Sequence, residues 1–179
     1  MEIEIINGDL LKADVDYIVQ QCNCLTIRGA GLSEAIRIKF DSDPYNQRRT
    51  MNNRNLAIEE DRSEPGTFEI DFVNPKSSYQ ELGIVHLFSQ YRPGPTNSYY
   101  FNNYPESDPP ETKAQRLIWF KSCLRNFAEY LNEDPDEKII GFPFHIGCGL
   151  AGGNWKDYFQ CIQEFSSTLE NKTVQIYKL

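Results

Sequence analysis

Glycines gather in one segment near the end of the chain, HIGCGLAGGNW at residues 145–155. Four of them fall within seven residues, and a helical pattern with Asn154 as a suitable N-cap follows directly. Backbone without side chains can approach an anion closely, and the N–H groups at the start of a helix point at it with the positive end of the helix dipole. The segment therefore predicts a cradle for a phosphate or a similar anion. The alternative is a tight turn that needs glycine for steric reasons alone.

A second glycine-bearing segment, NCLTIRGAG at residues 23–31, also runs from a strand pattern into a helical one. In an open α/β sheet such loops lie at the carboxyl ends of strands, where ligands bind in the crevice. Together the two loops suit a diphosphate that is held from two sides. GCGLAG also has the G-x-G-x-x-G spacing of dinucleotide-binding folds. That fold is not expected here, because the motif belongs after the first strand and only one helix and one strand follow it in this chain.

Strand and helix patterns alternate along the chain, and the elements that they predict must position these loops. Alternating or β-branched runs predict strands at residues 3–6, 17–22, 67–73, 83–89, 138–142 and 173–179. Apolar residues spaced by three and four predict helices at residues 32–40, within 111–132 and after Asn154. Residues 90–110 are rich in Pro, Asn, Ser and Tyr and indicate a long surface loop. This order predicts an α/β fold, a three-layer α/β/α sandwich with a central mixed sheet.

The composition limits what such a fold would bind. The 179 residues suit a single domain at 1–179, and 18 Lys and Arg against 26 Asp and Glu leave a formal net charge of −8. This acidic balance argues against nucleic-acid and anionic-membrane partners. The five cysteines and two histidines have no zinc spacing, so we expect no metal and no cofactor. We also expect reduced thiols in an intracellular protein, cytoplasmic or nuclear.

Four segments in the right order resemble the macrodomains that bind ADP-ribose, and the resemblance covers nearly the whole chain. These segments are INGDLL, VQQCNC with GAG, PFHIGCGLAGGNW and TVQIYKL. The resemblance implies that Asp9 holds the adenine amino group, with Leu10 beside the ring, and that Asn23 lies at the distal ribose. The other ligand-binding residues that it implies are Gln21, Gly29, Ala30 and Gly31 around the first loop, and Gly147, Cys148, Gly149, Leu150, Ala151 and Gly152 in the second.

Within this family, CNC before a glycine loop, together with IGCGL, is most similar to one branch. That branch contains the yeast-type ADP-ribose 1″-phosphate phosphatases and the terminal ADP-ribose-glutamate hydrolases. The hydrolases have Asp and Lys where this chain has Ala151 and Gln90, so their Lys-adduct mechanism is not expected. The phosphatases have His where this chain has Gln20, so the corresponding general base is missing as well.

Few residues near the loops can do acid–base chemistry. The candidates for catalysis are Asn23, His145 and Arg28, and Arg28 is the cation that would meet a terminal phosphate. His145 and Arg28 are equally well explained by structural or solvent-exposed roles, and His86 is expected to be a buried, hydrogen-bonded histidine. The leading hypothesis is a phosphatase that removes the 1″-phosphate of ADP-ribose 1″-phosphate. The alternatives are a non-catalytic reader of ADP-ribose or ADP-ribosylated protein, and an ADP-ribosyl ester hydrolase that works by substrate-assisted water attack.

Overall fold

The computed structural model describes residues 2–75 and 80–179. In this part of the chain six strands form one sheet, and they are β1 (Glu4–Asn7), β2 (Tyr17–Asn23), β3 (Thr67–Val73), β4 (Leu82–Gln90), β5 (Lys138–Pro143) and β6 (Lys172–Lys178). Their order across the sheet is β1-β6-β5-β2-β4-β3, and every neighbouring pair is parallel except β3 and β4. The helices are α1 (Leu32–Phe40), α2 (Lys113–Asn132) and α3 (Trp155–Ser167). The sheet is therefore mixed, as predicted.

Helices cover both faces of the sheet. Along β2, Val19 packs with α2 and α3 on one face, whereas the neighbouring Ile18 packs against α1 on the other, because successive side chains of a strand point to opposite faces. β2 and β4 are buried along almost their whole length, which explains their nearly continuous apolar runs in the sequence. This arrangement is the three-layer α/β/α sandwich that the sequence predicts, so the prediction is confirmed.

The topology brings the two glycine segments together. β5 and β2 are parallel neighbours in the middle of the sheet, and each runs into one of the segments at its carboxyl end. We call residues 24–31, between β2 and α1, loop 1, and residues 144–154, between β5 and α3, loop 2. β1 ends at the same edge of the sheet just before Asp9, and β4 ends there at Gln90. Residues 91–110, which we call the long loop, follow β4 and include a short 3-10 turn at Phe101–Asn103.

No helix in residues 2–75 and 80–179 is long and apolar enough to cross a membrane. In the same residues, no group of three or more His, Cys, Asp or Glu side chains is placed to hold a metal ion. All five cysteines are free thiols.

Candidate functional site

A cleft of about 290 Å³ lies between loop 1 and loop 2. Its lining comes from the end of loop 1 with the start of α1, from loop 2, and from the strand ends at Gln20, Gln21 and Gln90. A second cavity of about 610 Å³ begins at Asp9 and shares Gly31, Leu32, Pro143, Phe144 and His145 with the first. The two cavities are therefore parts of one elongated cleft. One of its ends is at Asp9, and the other is at Gln21 and Gln90.

Unpaired backbone N–H groups line both sides of this cleft. Within the described residues, the N–H groups of Gly147, Gly149, Leu150 and Ala151 donate to no protein acceptor. On the opposite side Gly31 is the N-cap of α1 and provides no side-chain cap, which leaves the N–H groups of the first helical turn free. Gly31, Gly149 and Leu150 are exposed and Gly147 and Ala151 are half-buried, so their N–H groups are open to solvent or to a ligand, and a helix N-terminus favours a negatively charged acceptor. The centre of the cleft can therefore accept an anion through backbone amides.

Three of the loop 2 glycines are required by the fold of the loop, and one of them, Gly152, has a φ of 73° and would place a Cβ 3.1 Å from Pro95 Cβ. Gly147 has a φ of 72°, and a Cβ there would collide with the ring of Tyr158. A Cβ on Gly153 would lie 2.5 Å from the carbonyl oxygen of Gly147, the same oxygen that accepts a 2.9 Å hydrogen bond from the Gly153 N–H. A Cβ on Gly149, by contrast, would meet no atom within 4 Å. The steric explanation thus accounts for Gly147, Gly152 and Gly153, while Gly149 leaves room on the side of the cleft.

A buried ion pair ties loop 2 to the long loop. Arg116 on α2 donates from Nε to Glu111 Oε2 at 2.8 Å, from Nη1 to the carbonyl of Ala151 at 3.1 Å, and from Nη2 to the carbonyl of Arg92 at 3.0 Å. Glu111 also accepts the backbone N–H groups of Tyr91 and Arg92 at 2.7 and 2.9 Å. The side chains of Arg116 and Glu111 are only 3% and 0% exposed. This pair was not predicted from the sequence, although Arg116 falls four residues before Phe120 on the buried face of α2.

The first end of the cleft combines a carboxylate with an aromatic wall. Asp9 Oδ1 accepts the N–H of Leu11 at 2.9 Å and so caps the 3-10 turn at Leu10–Lys12, while Leu10 itself is buried. Phe144 and His145 stack with their ring centroids 4.0 Å apart, and His145 has a φ of 63°. The second oxygen of Asp9 makes no hydrogen bond within the described chain, so this end offers an acceptor beside an aromatic wall, over which Lys178 Nζ lies 5.0 Å from the Phe144 ring centroid.

The opposite end of the cleft is lined by neutral amides. Gln21 Nε2 donates to Gln90 Oε1 at 2.6 Å, Ser89 Oγ donates to Gln21 Oε1 at 2.8 Å, and Gln90 Nε2 donates to the carbonyl of Arg92 at 3.0 Å. Of the described residues that line the 290 Å³ cavity, His145 is the only one with a titratable side chain. This end is therefore uncharged, and its polar groups are largely occupied by one another.

The structure places the predicted site residues in two groups. Asn23 turns into its own loop, where Oδ1 accepts the N–H groups of Leu25 and Thr26 at 3.0 and 2.8 Å and Nδ2 donates to Thr26 Oγ1 at 2.9 Å. Arg28 is exposed and does not line either cavity. The predicted residues that do line the cleft are Asp9, Leu10, Gln21, Ala30, Gly31, His145, Gly147, Gly149, Leu150 and Ala151. Those outside the lining are Asn23, Arg28, Gly29, Cys148 and Gly152.

The remaining reactive side chains near the loops are not activated. Burial raises the pKa of the Cys148 thiol to about 11 and the pKa of Cys24 well above its usual range. Both thiols therefore stay protonated at neutral pH, whereas a nucleophilic cysteine needs a lowered pKa. His86 is fully buried within β4 and bonded to polar partners, as the sequence analysis expected of it.

Comparison with known proteins establishes the fold. No family model and no curated protein matches the sequence. The macrodomain of Mycobacterium tuberculosis DarG superposes with a TM-score of 0.68 and 16% identity over 99% of this chain and 98% of that one. The macrodomain of Thermus aquaticus DarG gives 0.65 and 19% over 99% of both chains. A Trypanosoma brucei macrodomain, solved in complex with ADP-ribose, gives 0.51 and 13% over 98% of this chain and 64% of that one. The protein therefore has the macrodomain fold.

Proposed function

We propose that the protein binds ADP-ribose, or a terminal ADP-ribosyl group of a modified protein, in this cleft. Adenine would lie at Asp9 and Phe144, the diphosphate between loop 2 and the start of α1, and the distal ribose at Gln21 and Gln90. The unpaired N–H groups on both sides of the cleft carry the proposal, because the described lining of the 290 Å³ cavity, where the diphosphate would lie, offers no lysine or arginine to hold it; Lys178 lines only the cavity at the Asp9 end. The Trypanosoma brucei complex with ADP-ribose supports the same class of ligand.

The distal end of the cleft favours binding over removal of a 1″-phosphate. A phosphate monoester would bring a further charge of roughly −1.5 to −2 at neutral pH against a wall of neutral glutamine amides. Arg28, the cation expected to meet that phosphate, lies outside the lining. The favoured function is therefore a binding module for the ADP-ribosyl group.

Phosphatase activity is the second candidate, and one observation favours it. His145 lines both cavities and is a titratable side chain at the cleft. In that reaction water would attack phosphorus, His145 would take the proton of the water and return it to the 1″ oxygen as the P–O bond breaks, and the products would be ADP-ribose and inorganic phosphate. The loop amides would stabilise the charge that develops on the phosphoryl oxygens.

Calorimetry and a phosphate assay on the same preparation separate these functions. The protein is titrated with ADP-ribose, ADP and AMP, and it is then incubated with ADP-ribose 1″-phosphate. Binding of ADP-ribose without phosphate release above buffer supports the binding module. Phosphate release that disappears in His145→Ala identifies the phosphatase, and release of free ADP-ribose from a glutamate-modified protein identifies an ester hydrolase. Failure to bind ADP-ribose at millimolar concentrations refutes the proposal.

Asp9→Asn is expected to weaken ADP-ribose binding by about 1–3 kcal/mol, because the amide replaces a charged acceptor facing the adenine amino group. Asn is as good an N-cap as Asp, so the turn at Leu10–Lys12 should stay intact. Asp14→Asn is the matched control, since it removes the same charge from an exposed side chain that does not line the cleft. Equal calorimetric affinities for the two variants would contradict the adenine assignment.

A further inference from the structure

A chain of hydrogen bonds leads from the half-exposed Asp71 through buried side chains to the wall of the cleft. His86 lies between them, with Nε2 3.0 Å from Asp71 Oδ2 and Nδ1 2.8 Å from Gln20 Nε2. Gln20 Oε1 in turn accepts the hydroxyl of Ser33 at 2.6 Å. Gln20 and His86 are 1% and 0% exposed, and Ser33 is 8% exposed. Gln20 and Ser33 line the cleft, and Ser33 belongs to the first turn of α1, beside the free N–H groups.

The groups around His86 fix one side of its ring. From β3, Asp71 bonds to Nε2 and Glu69 is its cross-strand partner; Cys22 lies beside it on β2, and Ser42 Oγ is 3.2 Å from Nε2. A separate cavity of about 720 Å³ lies outside Asp71 and is lined by further charged residues, namely Asp41, Asp43, Arg48, Asp61 and Glu69. With Nε2 held by an acidic neighbour, the Nδ1 side is where a change of protonation must be accommodated.

Protonation of His86 exchanges donors and acceptors along this row of hydrogen bonds. When His86 is neutral, Nδ1 accepts from the Gln20 amide nitrogen, Gln20 Oε1 accepts from Ser33, and the Ser33 hydroxyl points away from the ligand. When His86 is protonated, Nδ1–H must find an acceptor, so the Gln20 amide turns over and its nitrogen donates to Ser33 Oγ. The Ser33 hydroxyl is then released to donate into the cleft. The Tyr45 hydroxyl is also within its reach, but a charged phosphate oxygen is the stronger acceptor.

We propose that the protonation of His86 decides whether the Ser33 hydroxyl donates to the ligand, and that it thereby tunes the affinity of the cleft for its anion. His86 is a positioning residue here, since it acts through Gln20 and touches no ligand. The proposal rests on the proposed function, because the ligand whose affinity changes is ADP-ribose. It adds Ser33, Gln20 and His86 to the residues that control binding.

The pKa of His86 supports a protonated side chain at neutral pH. Burial lowers the pKa of His86, but the hydrogen bond to Asp71 and the neighbouring Cys22 outweigh it and raise the pKa to about 9. The protonated form, with the Gln20 amide turned over, therefore dominates at neutral pH, whereas the amide orientation in the structure is the one that neutral His86 accepts. Because this pKa lies above the ordinary value of 6.5, protonation also stabilises the fold, and that contribution is lost as the pH rises from 6.5 through about 9.

Calorimetric titration with ADP-ribose between about pH 7 and about pH 10 tests the proposal. Circular dichroism at each pH checks that the protein stays folded. The wild type should lose about tenfold in affinity as His86 loses its proton. By linkage, binding near the midpoint should take up a fraction of a proton, about one half for a tenfold change, which is measured by comparing buffers of different ionisation enthalpy. Ser33→Ala should bind about tenfold more weakly at neutral pH, with no pH dependence and no proton uptake.

Ser42→Ala is the matched control, because Ser42 also contacts His86 but on the side away from the cleft. It should keep a pH dependence, with a shifted midpoint. A flat affinity profile for the wild type, or an unchanged profile in Ser33→Ala, overturns the proposal while leaving ADP-ribose binding intact. Absence of binding at every pH would instead refute the proposed function.

Discussion

Glu111→Ala is expected to lower the free energy of unfolding by about 3–5 kcal/mol, because it leaves the buried Arg116 guanidinium without its counter-charge. The backbone N–H groups of Tyr91 and Arg92 lose their acceptors at the same time. A domain of this size is stabilised by only about 5–15 kcal/mol, so the loss is a large share of the total. Urea unfolding followed by circular dichroism measures it.

Glu34→Ala is the matched control for this prediction. Glu34 also pairs with an arginine, Arg37, at 2.7 Å, but both side chains are exposed and the pair is screened by solvent. Its removal should leave the unfolding midpoint almost unchanged. Any Glu111→Ala protein that folds should also bind ADP-ribose more weakly, since Arg116 holds the carbonyl of Ala151 in loop 2. Equal stabilities of the two variants would contradict the role given to the buried pair.

Gly147→Ala has the second large expected effect. Alanine at a φ of 72° is strained, and its Cβ would collide with the Tyr158 ring and lie 2.9 Å from Gln21 Oε1. Strain and overpacking together should cost about 2–4 kcal/mol of stability. Since Tyr158 and Gln21 cannot both stay in place, loop 2 must shift. We expect the affinity for ADP-ribose to fall by at least about tenfold, as one lost charged hydrogen bond would already cause.

Gly149→Ala provides the comparison within the same loop. A Cβ there has open space, so the unfolding free energy should change by less than about 0.5 kcal/mol. Thermal unfolding measures the stability of both variants and calorimetry measures their affinity for ADP-ribose, so the two effects can be separated. If Gly147→Ala kept wild-type affinity, the amides of loop 2 would not be the site of the diphosphate.

The local part of this structure could be predicted from the sequence. Period-2 and period-3.6 patterns predicted the strands and helices, and the glycine spacing marked both loops, since these signals depend on neighbours in the chain. The juxtaposition of loop 1 and loop 2 followed from the rule that ligands collect at the carboxyl ends of parallel strands. Asn154 also caps α3 as expected, its side chain accepting the N–H of Lys156.

Contacts between distant segments could not be predicted from such local patterns. Arg116 reaches Ala151, 35 residues away, and Gln20 reaches His86, 66 residues away, so neither contact leaves a local pattern. The orientation of the Asn23 side chain could not be predicted for a different reason. Its amide bonds within its own loop to Leu25 and Thr26, and an Asn in such a turn has the same sequence whether it faces inward or toward a ligand.

The backbone amides explain how an acidic protein would hold a diphosphate. The net charge of −8 opposes a nucleotide at long range, but this repulsion is screened within about 8–10 Å at physiological ionic strength. Inside the cleft, fixed N–H groups and the dipole of α1 act at hydrogen-bond distance. Local geometry, and not the overall charge, therefore decides which anion binds.

A crystal structure of the protein with ADP-ribose tests the central claim most directly. We expect diphosphate oxygens at about 2.7–3.2 Å from N–H groups of loop 2, between Gly147 and Ala151, and of the first turn of α1. Adenine should lie against Phe144 with its amino group at Asp9. A nucleotide bound elsewhere on the molecule, or a diphosphate that contacts neither loop, would contradict it.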